Sequence, residues 1–151
     1  MENGEKREEG KWQEALRKLE QRGEHAPIPE EVEKAGGEII GAAIEVHRHL
    51  GPGLLESVYE RAMVHELQLR GMTVHQQVPI LVPYKGLFIE GQRADLIVMP
   101  GVILELKAVE AFNYIHDRQL LSYLISTGFR LGLLINFHTK LLKDGIRRIV
   151  C

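Results

Sequence analysis

The residues best suited to chemistry lie close together in the middle of the chain: Asp95, then Glu105-Leu106-Lys107. Residues 102–109 alternate so that Ile103, Glu105 and Lys107 share one face of a strand, with Val102, Leu104 and Leu106 on the other. A carboxylate and an ammonium in an apolar strand are costly to bury without partners. One reading is a cross-strand salt bridge at a sheet edge; the other is a site. Asp95 weighs on the choice, because it stands ten residues before Glu105, across a turn at Pro100-Gly101. A three-residue loop, Met99-Pro100-Gly101, pairs Val98 with Val102 and sets Asp95 opposite Glu105 on one face. A two-residue loop puts them on opposite faces. Facing carboxylates repel unless a cation sits between them, and a hard divalent ion such as Mg²⁺ answers that need. Such an ion lowers the pKa of a bound water, and the Lys107 ammonium can orient that water or steady the charge that develops.

Other residues are ambiguous one at a time. Glu56 follows the Gly51-Pro52-Gly53 break and opens a helix, where the dipole favours an acid whatever its role. Tyr59 shares its face at i+3 and reads first as a core aromatic. His116, Gln119 and Tyr123 fall in one sector of a later helix, at i, i+3 and i+7, beside the apolar stripe of Leu120, Leu121 and Leu124. Solvent exposure explains His116 and Gln119 equally well. His47 is a boundary histidine on an apolar helix. There is no HExxH pair, no phosphate-binding glycine loop and no Gly-x-Ser-x-Gly elbow.

The elements that must position these groups read α-α-β-β-β-α-β-(β), a mixed sheet flanked by helices. Helices are expected over Glu38–Leu50, Leu54–Arg70 and Asn113–Thr127. Strands are expected over Val74–Tyr84, Leu87–Met99 with an irregularity at Gly91, Val102–Val109, Arg130–Phe137 and Arg147–Val150. Residues 1–32 form a charged extension, with a narrow apolar stripe (Trp12, Leu16, Leu19) on a short helix from Lys11 to Arg22 and a linker at Gly23–Pro29. The domain proper spans 33–151.

Composition narrows the function classes. The 151 residues are 44% hydrophobic and 26% charged, as in an ordinary globular domain. No apolar run reaches the roughly 18 residues of a membrane span. Cys151 is the one cysteine, which leaves no disulfide framework within the chain and points to a reducing, cytoplasmic compartment. Residues 1–34 carry ten acids against seven bases, and residues 35–151 eleven against twelve. Bulk electrostatics therefore does not select a polyanion, and a nucleic-acid partner requires a local patch, for which His138 and Lys140–Arg148 are one source.

Taken in order, the motifs resemble a known family. Gly53-Leu54-Leu55-Glu56-Ser57-Val58-Tyr59 reads G-x-x-E-x-x-Y. It is preceded by Ile40–His47 and Leu50-Gly51-Pro52-Gly53. It is followed by Arg93-Ala94-Asp95, Glu105–Val109 and Gln119-Leu120-Leu121-Ser122-Tyr123. The chain resembles the GxxExxY proteins of the PD-(D/E)XK nuclease superfamily over residues 33–150. That resemblance implies a restriction-endonuclease-like core and a metal-dependent nuclease. Asp95, Glu105 and Glu56 would be ligands of Mg²⁺ or Mn²⁺, and Lys107 the catalytic lysine. Gln119 and Tyr123 would be a Q-x-x-x-Y element supporting the site and the strand, and the Leu106 carbonyl a further ligand. Tyr59 and His47 would be supporting or substrate contacts. Ala94 replaces the proline of the superfamily's name, and the Phe137–Gly145 loop is longer than the pattern requires.

Three functions compete on this reading. The first is a phosphodiesterase acting on DNA, ahead of RNA, with a homodimer as one arrangement for reaching two strands. The second is a catalytically silent nucleic-acid-binding module, which the near-neutral domain charge favours. The third is a protein-interaction module docking through residues 1–30.

Overall fold

The computed structural model describes residues 27–151, so the helix expected over Lys11–Arg22 lies outside the described residues. Helix α1 (Glu30–Leu50) begins eight residues before the Glu38 expected from sequence. Val32, Ala35, Gly36 and Ile39 extend its buried stripe past the Gly36-Gly37 pair, and Glu30, Glu31 and Glu33 complement the positive end of its dipole. Helix α2 (Glu56–Leu69) follows the Gly51–Leu55 connection and buries Tyr59, Met63 and Leu67. Helix α3 (Tyr114–Thr127) is opened by a capping box, in which Asn113 accepts from the Ile115 amide and the His116 ring accepts from the Asn113 amide. His116 is thereby accounted for as a cap.

Five strands make one sheet in sequence order: β1 (Val74–Tyr84), β2 (Leu87–Val98), β3 (Val102–Lys107), β4 (Leu131–Asn136) and β5 (Ile146–Val150). All neighbours are antiparallel except β3 and β4, which run parallel because α3 carries the chain back across the sheet. This mixed α/β architecture, with three α-helices among the described residues, is that of a restriction-endonuclease-like core. The irregularity expected at Gly91 is present as a register shift between the pairs Ile80–Gln92 and Val82–Ile89.

The two sheet faces carry separate cores. Leu96, Val98, Val102, Leu104, Leu106, Leu131, Leu133 and Ile135 point to α1 and α2. Ile97, Ile103 and Leu134 point to α3, against Leu120, Tyr123 and Leu124. A β-carbon at Gly132 would lie 2.9 Å from Leu120, so glycine is what lets α3 settle on β4. Arg148 of β5 clamps Glu33 of α1 through its two terminal guanidinium nitrogens and holds that exposed carboxyl below its usual range.

Apart from the register shift at Gly91, strict alternation also fails nearer the middle of the sheet. On β2, Leu96 and Val98 face α1 and α2, but Ala94 packs into the α3 core. On β1, Val74 packs with the first core and Val78 and Ile80 with the second. Both strands roll over between those residues, at Gln77 and Asp95. Gln77 has φ of 47°, a left-handed conformation that a residue with a side chain rarely adopts.

Candidate active site

The register decides the first question. Val98 pairs with Val102, Ile97 with Ile103 and Leu96 with Leu104, as the three-residue loop requires. Pairing between β2 and β3 stops there, and the next residues are Asp95 and Glu105. The strands part, and the two carboxylates take over the main-chain groups that the ladder no longer serves. The Leu106 amide donates to Asp95 Oδ2 at 2.8 Å, and the Asp95 amide donates to Glu105 Oε1 at 3.0 Å. Because β2 rolls over at Asp95, its side chain reaches sideways across the gap to β3.

Each carboxylate therefore has one oxygen committed to the sheet and one less tightly held. Asp95 Oδ1 has a long contact of 3.4 Å with the Gln77 amide, and Glu105 Oε2 stands 4.0 Å from Lys107 Nζ. Glu105 is 3% exposed. Burial first, and then the neighbouring Asp95 charge, push its carboxyl up from 4.5 to about 8; Lys107 offsets only part of this. Tyr123 feels the same surplus of negative charge. Burial, and then Glu105, push its hydroxyl up to about 12. That hydroxyl donates to Gln92 at 2.8 Å. The Gln119 side chain on the same helix offsets part of that rise.

A cleft of about 160 Å³ opens beside the fork, lined by Glu56, Ser57, Glu60, Gln77, Asp95 and Leu106. Glu56 is exposed at its rim, and its charge acts on both Glu60 and Glu105. Glu60 and Gln77 belong to this cleft and escape a reading by motif. The Gln77 amide donates to Glu60 Oε1 on α2 as well as reaching Asp95. Burial, offset by that hydrogen bond and aided by the Asp95 and Glu56 charges, raises the Glu60 carboxyl. A signal for Glu60 was available, since it follows Glu56 at i+4 on one helical face. Gln77 gave no signal: a glutamine in a strand predicts neither a left-handed φ nor a bridge between two acids.

Two of the expected residues lie elsewhere. The Tyr59 side chain is fully buried, stacked on Phe137 with centroids 4.4 Å apart. Its hydroxyl donates to the Gly51 carbonyl and accepts from the Leu54 amide at 3.2 Å, which fixes the turn leading into Glu56. His47 Nε2 lies 2.9 Å from the Thr139 carbonyl, and the residue lines a second cleft on the far side of that turn. The structure does not bring His47 to the carboxylates.

Among the described residues, no three acidic, histidine or cysteine side chains stand together as a ready-made metal cage. The donor chemistry nonetheless fits a hard ion. The donors are oxygens only, Lys107 alone does not offset the cost of ionising the buried Glu105, which a cation would relieve, and Mg²⁺ is ordinarily held by one or two carboxylates plus waters and substrate phosphate. Asp95 and Glu105 would hold it, with Glu56 or Glu60 within reach through water.

A family model described as PD-(D/E)XK nuclease superfamily matches residues 33–149. The chain belongs to that superfamily. The match spans β1 to β4 and all but the last residue of β5, and with them the fork, the carboxylate pair and the Glu-x-Lys of β3. Comparison with curated proteins and with solved structures returned no match. No helix among the described residues is long and apolar enough to cross a membrane.

Proposed function

We propose that this superfamily member is an active, divalent-metal-dependent nuclease of the GxxExxY branch, hydrolysing phosphodiester bonds of DNA ahead of RNA in the cytoplasm. The observation that carries the reading is the pair Asp95 and Glu105, set side by side at a strand fork with Lys107 Nζ 4.0 Å from Glu105. A merely structural strand pair gains nothing from a buried, incompletely balanced carboxylate there. A bound Mg²⁺ or Mn²⁺ supplies a water of lowered pKa and neutralises phosphate charge. Asp95 and Glu105 would hold the ion, with Glu56 and Glu60 lining the same cleft from α2. Lys107 orients the attacking water and steadies the developing charge. Gln119 and Tyr123 keep Glu105 in place from the α3 side. The catalytic unit is the domain from residue 33 onward; a homodimer and a protein contact through residues 1–30 are extensions of the same proposal.

The test is calorimetric titration with Mn²⁺ on the wild type, Asp95→Asn and Asp95→Ala, then incubation of the same samples with single- and double-stranded DNA and RNA. The expected result is binding and metal-dependent cleavage by wild type, both lost in the variants. A folded wild type that binds no Mn²⁺ with or without nucleic acid sinks the proposal. The near-neutral charge of residues 35–151 favours one rival, a silent nucleic-acid-binding module. That rival predicts salt-dependent binding with no turnover in any metal.

A further inference from the structure

The second cleft lies on the other side of the turn from the carboxylates. It measures about 440 Å³ and is lined by the end of α1 (Ile44, His47, Arg48), by Gly51-Pro52 and by the loop after β4 (Lys140 to Lys143). Three fixed cations, Arg48, Lys140 and Lys143, come from two separate elements, and no carboxylate lines the cleft. Arg48 has a loose partner in Glu45 at 3.5 Å; both are open to solvent. A cation at the last turn of α1 is explained by the helix dipole, but the two lysines belong to the loop and are not.

The loop is held in place. The Asn136 side chain bonds the Val109 main chain through both its groups and accepts from the His138 amide, and His47 meets the Thr139 carbonyl. A β-carbon at Gly145 would come within 2.3 Å of the Asn136 carbonyl, so the loop closes only with glycine there. The Phe137 amide donates to the Lys107 carbonyl at 2.9 Å, which roots the loop at the end of β3 that carries Glu105 and Lys107. Pro52 lines one cleft and Glu56 the other, and four residues of chain span at most about 14 Å. Phosphates in one strand of a duplex recur about every 3.4 Å along the axis, so the near rims of the two clefts are within roughly four nucleotides of each other.

We propose that the Arg48–Lys140–Lys143 cleft is the subsite that holds backbone phosphates of the nucleic-acid strand a few nucleotides from the scissile bond. This rests on the nuclease reading and extends it. It supplies the local patch that a domain of near-zero net charge needs in order to bind a polyanion. The apolar Ile44, Leu141 and Pro52 beside the cations offer surface to the sugars.

The test is fluorescence anisotropy with labelled single-stranded and duplex DNA over a series of salt concentrations, in chelator. The proteins are wild type, Arg48→Ala/Lys140→Ala/Lys143→Ala, the milder Lys140→Ala/Lys143→Ala, and Lys85→Ala at the β1–β2 hairpin tip. Mn²⁺ calorimetry on each checks the carboxylates separately. The triple variant is expected to bind at least about tenfold more weakly, with a salt slope shallower by about 0.7–0.9 for each phosphate no longer neutralised, while Mn²⁺ binding and the Lys85→Ala protein stay at wild-type values. The double variant is expected to fall between. A triple variant that binds with wild-type affinity and slope overturns the subsite, as does an equal loss in Lys85→Ala. A wild type that binds no nucleic acid overturns the nuclease reading itself, which is a distinguishable failure.

Discussion

The two faces of β3 were built by opposite rules. Val102, Leu104 and Leu106 point to α1 and α2, fully or almost fully buried among apolar neighbours from both helices and three strands. Ile103, Glu105 and Lys107 point to the α3 side, where the core is smaller and ends at two charged residues. One face satisfies every demand of burial; the other carries a carboxyl whose burial and neighbour are both unfavourable to its charge. Residues one apart in sequence thus divide the work, with stability on one side and strain at the site on the other.

That contrast is open to experiment. The largest effect is expected from Lys107→Ala or Glu105→Gln, each lowering the cleavage rate by about 10³-fold or more while circular dichroism stays native. Cleavage retained by either would merge the two faces into one structural role. Next, Leu104→Ala is expected to lower unfolding free energy by about 2–5 kcal/mol in urea titrations, because the fully buried side chain leaves a cavity. A loss under about 1 kcal/mol would mean that the α1 and α2 face is not the stabilising one.

The sign reverses for Glu105→Gln in metal-free protein. The folded state keeps the Glu105 proton between pH 4.5 and about 8, where the unfolded chain has released it. Stability from that proton is present below 4.5 and is lost as pH rises through about 8. Glu105→Gln is therefore expected to melt close to wild type at pH 4.5 and to exceed it by about 1–3 kcal/mol above pH 8. Equal stability of the two proteins at both pH values would remove the strain from the α3 side.

The smallest effect is at Gln77. Glycine relieves the positive φ but removes the bridge from Glu60 to Asp95. Gln77→Gly is expected to be neutral or more stable by up to about 1 kcal/mol in thermal melts, yet to bind Mn²⁺ more weakly, with Gln77→Asn between the two. Weaker stability with unchanged Mn²⁺ affinity would make the residue an ordinary part of the sheet.

Much of this was legible in the sequence, for identifiable reasons. The strand from Val74 to Tyr84 was readable because β-branched residues and the Lys85-Gly86 turn bound it. The pairing of Val98 with Val102 was one of two registers that loop arithmetic left open, and the parting of the strands beyond Leu96 and Leu104 had no signal in the sequence. The start of α1 was hidden because two adjacent glycines mimic a break, whereas Gly36 is buried where a β-carbon would come within 2.9 Å of Leu131. The turnover of β1 and β2 at Gln77 and Asp95 was illegible, since alternation is a local rule and this reversal is imposed by packing against α3. His47 read as a boundary histidine on an apolar helix, and nothing in the sequence showed that it meets the Thr139 carbonyl in the loop after β4.

The fork has one more consequence. Leu106 N–H points at Asp95 Oδ2, 2.8 Å away, so its proton resonance registers the state of that carboxylate. The nitrogen-labelled Leu106 amide thus reads out, without any substrate, when Asp95 meets an ion or swings away. The sheet carries its own spectroscopic gauge.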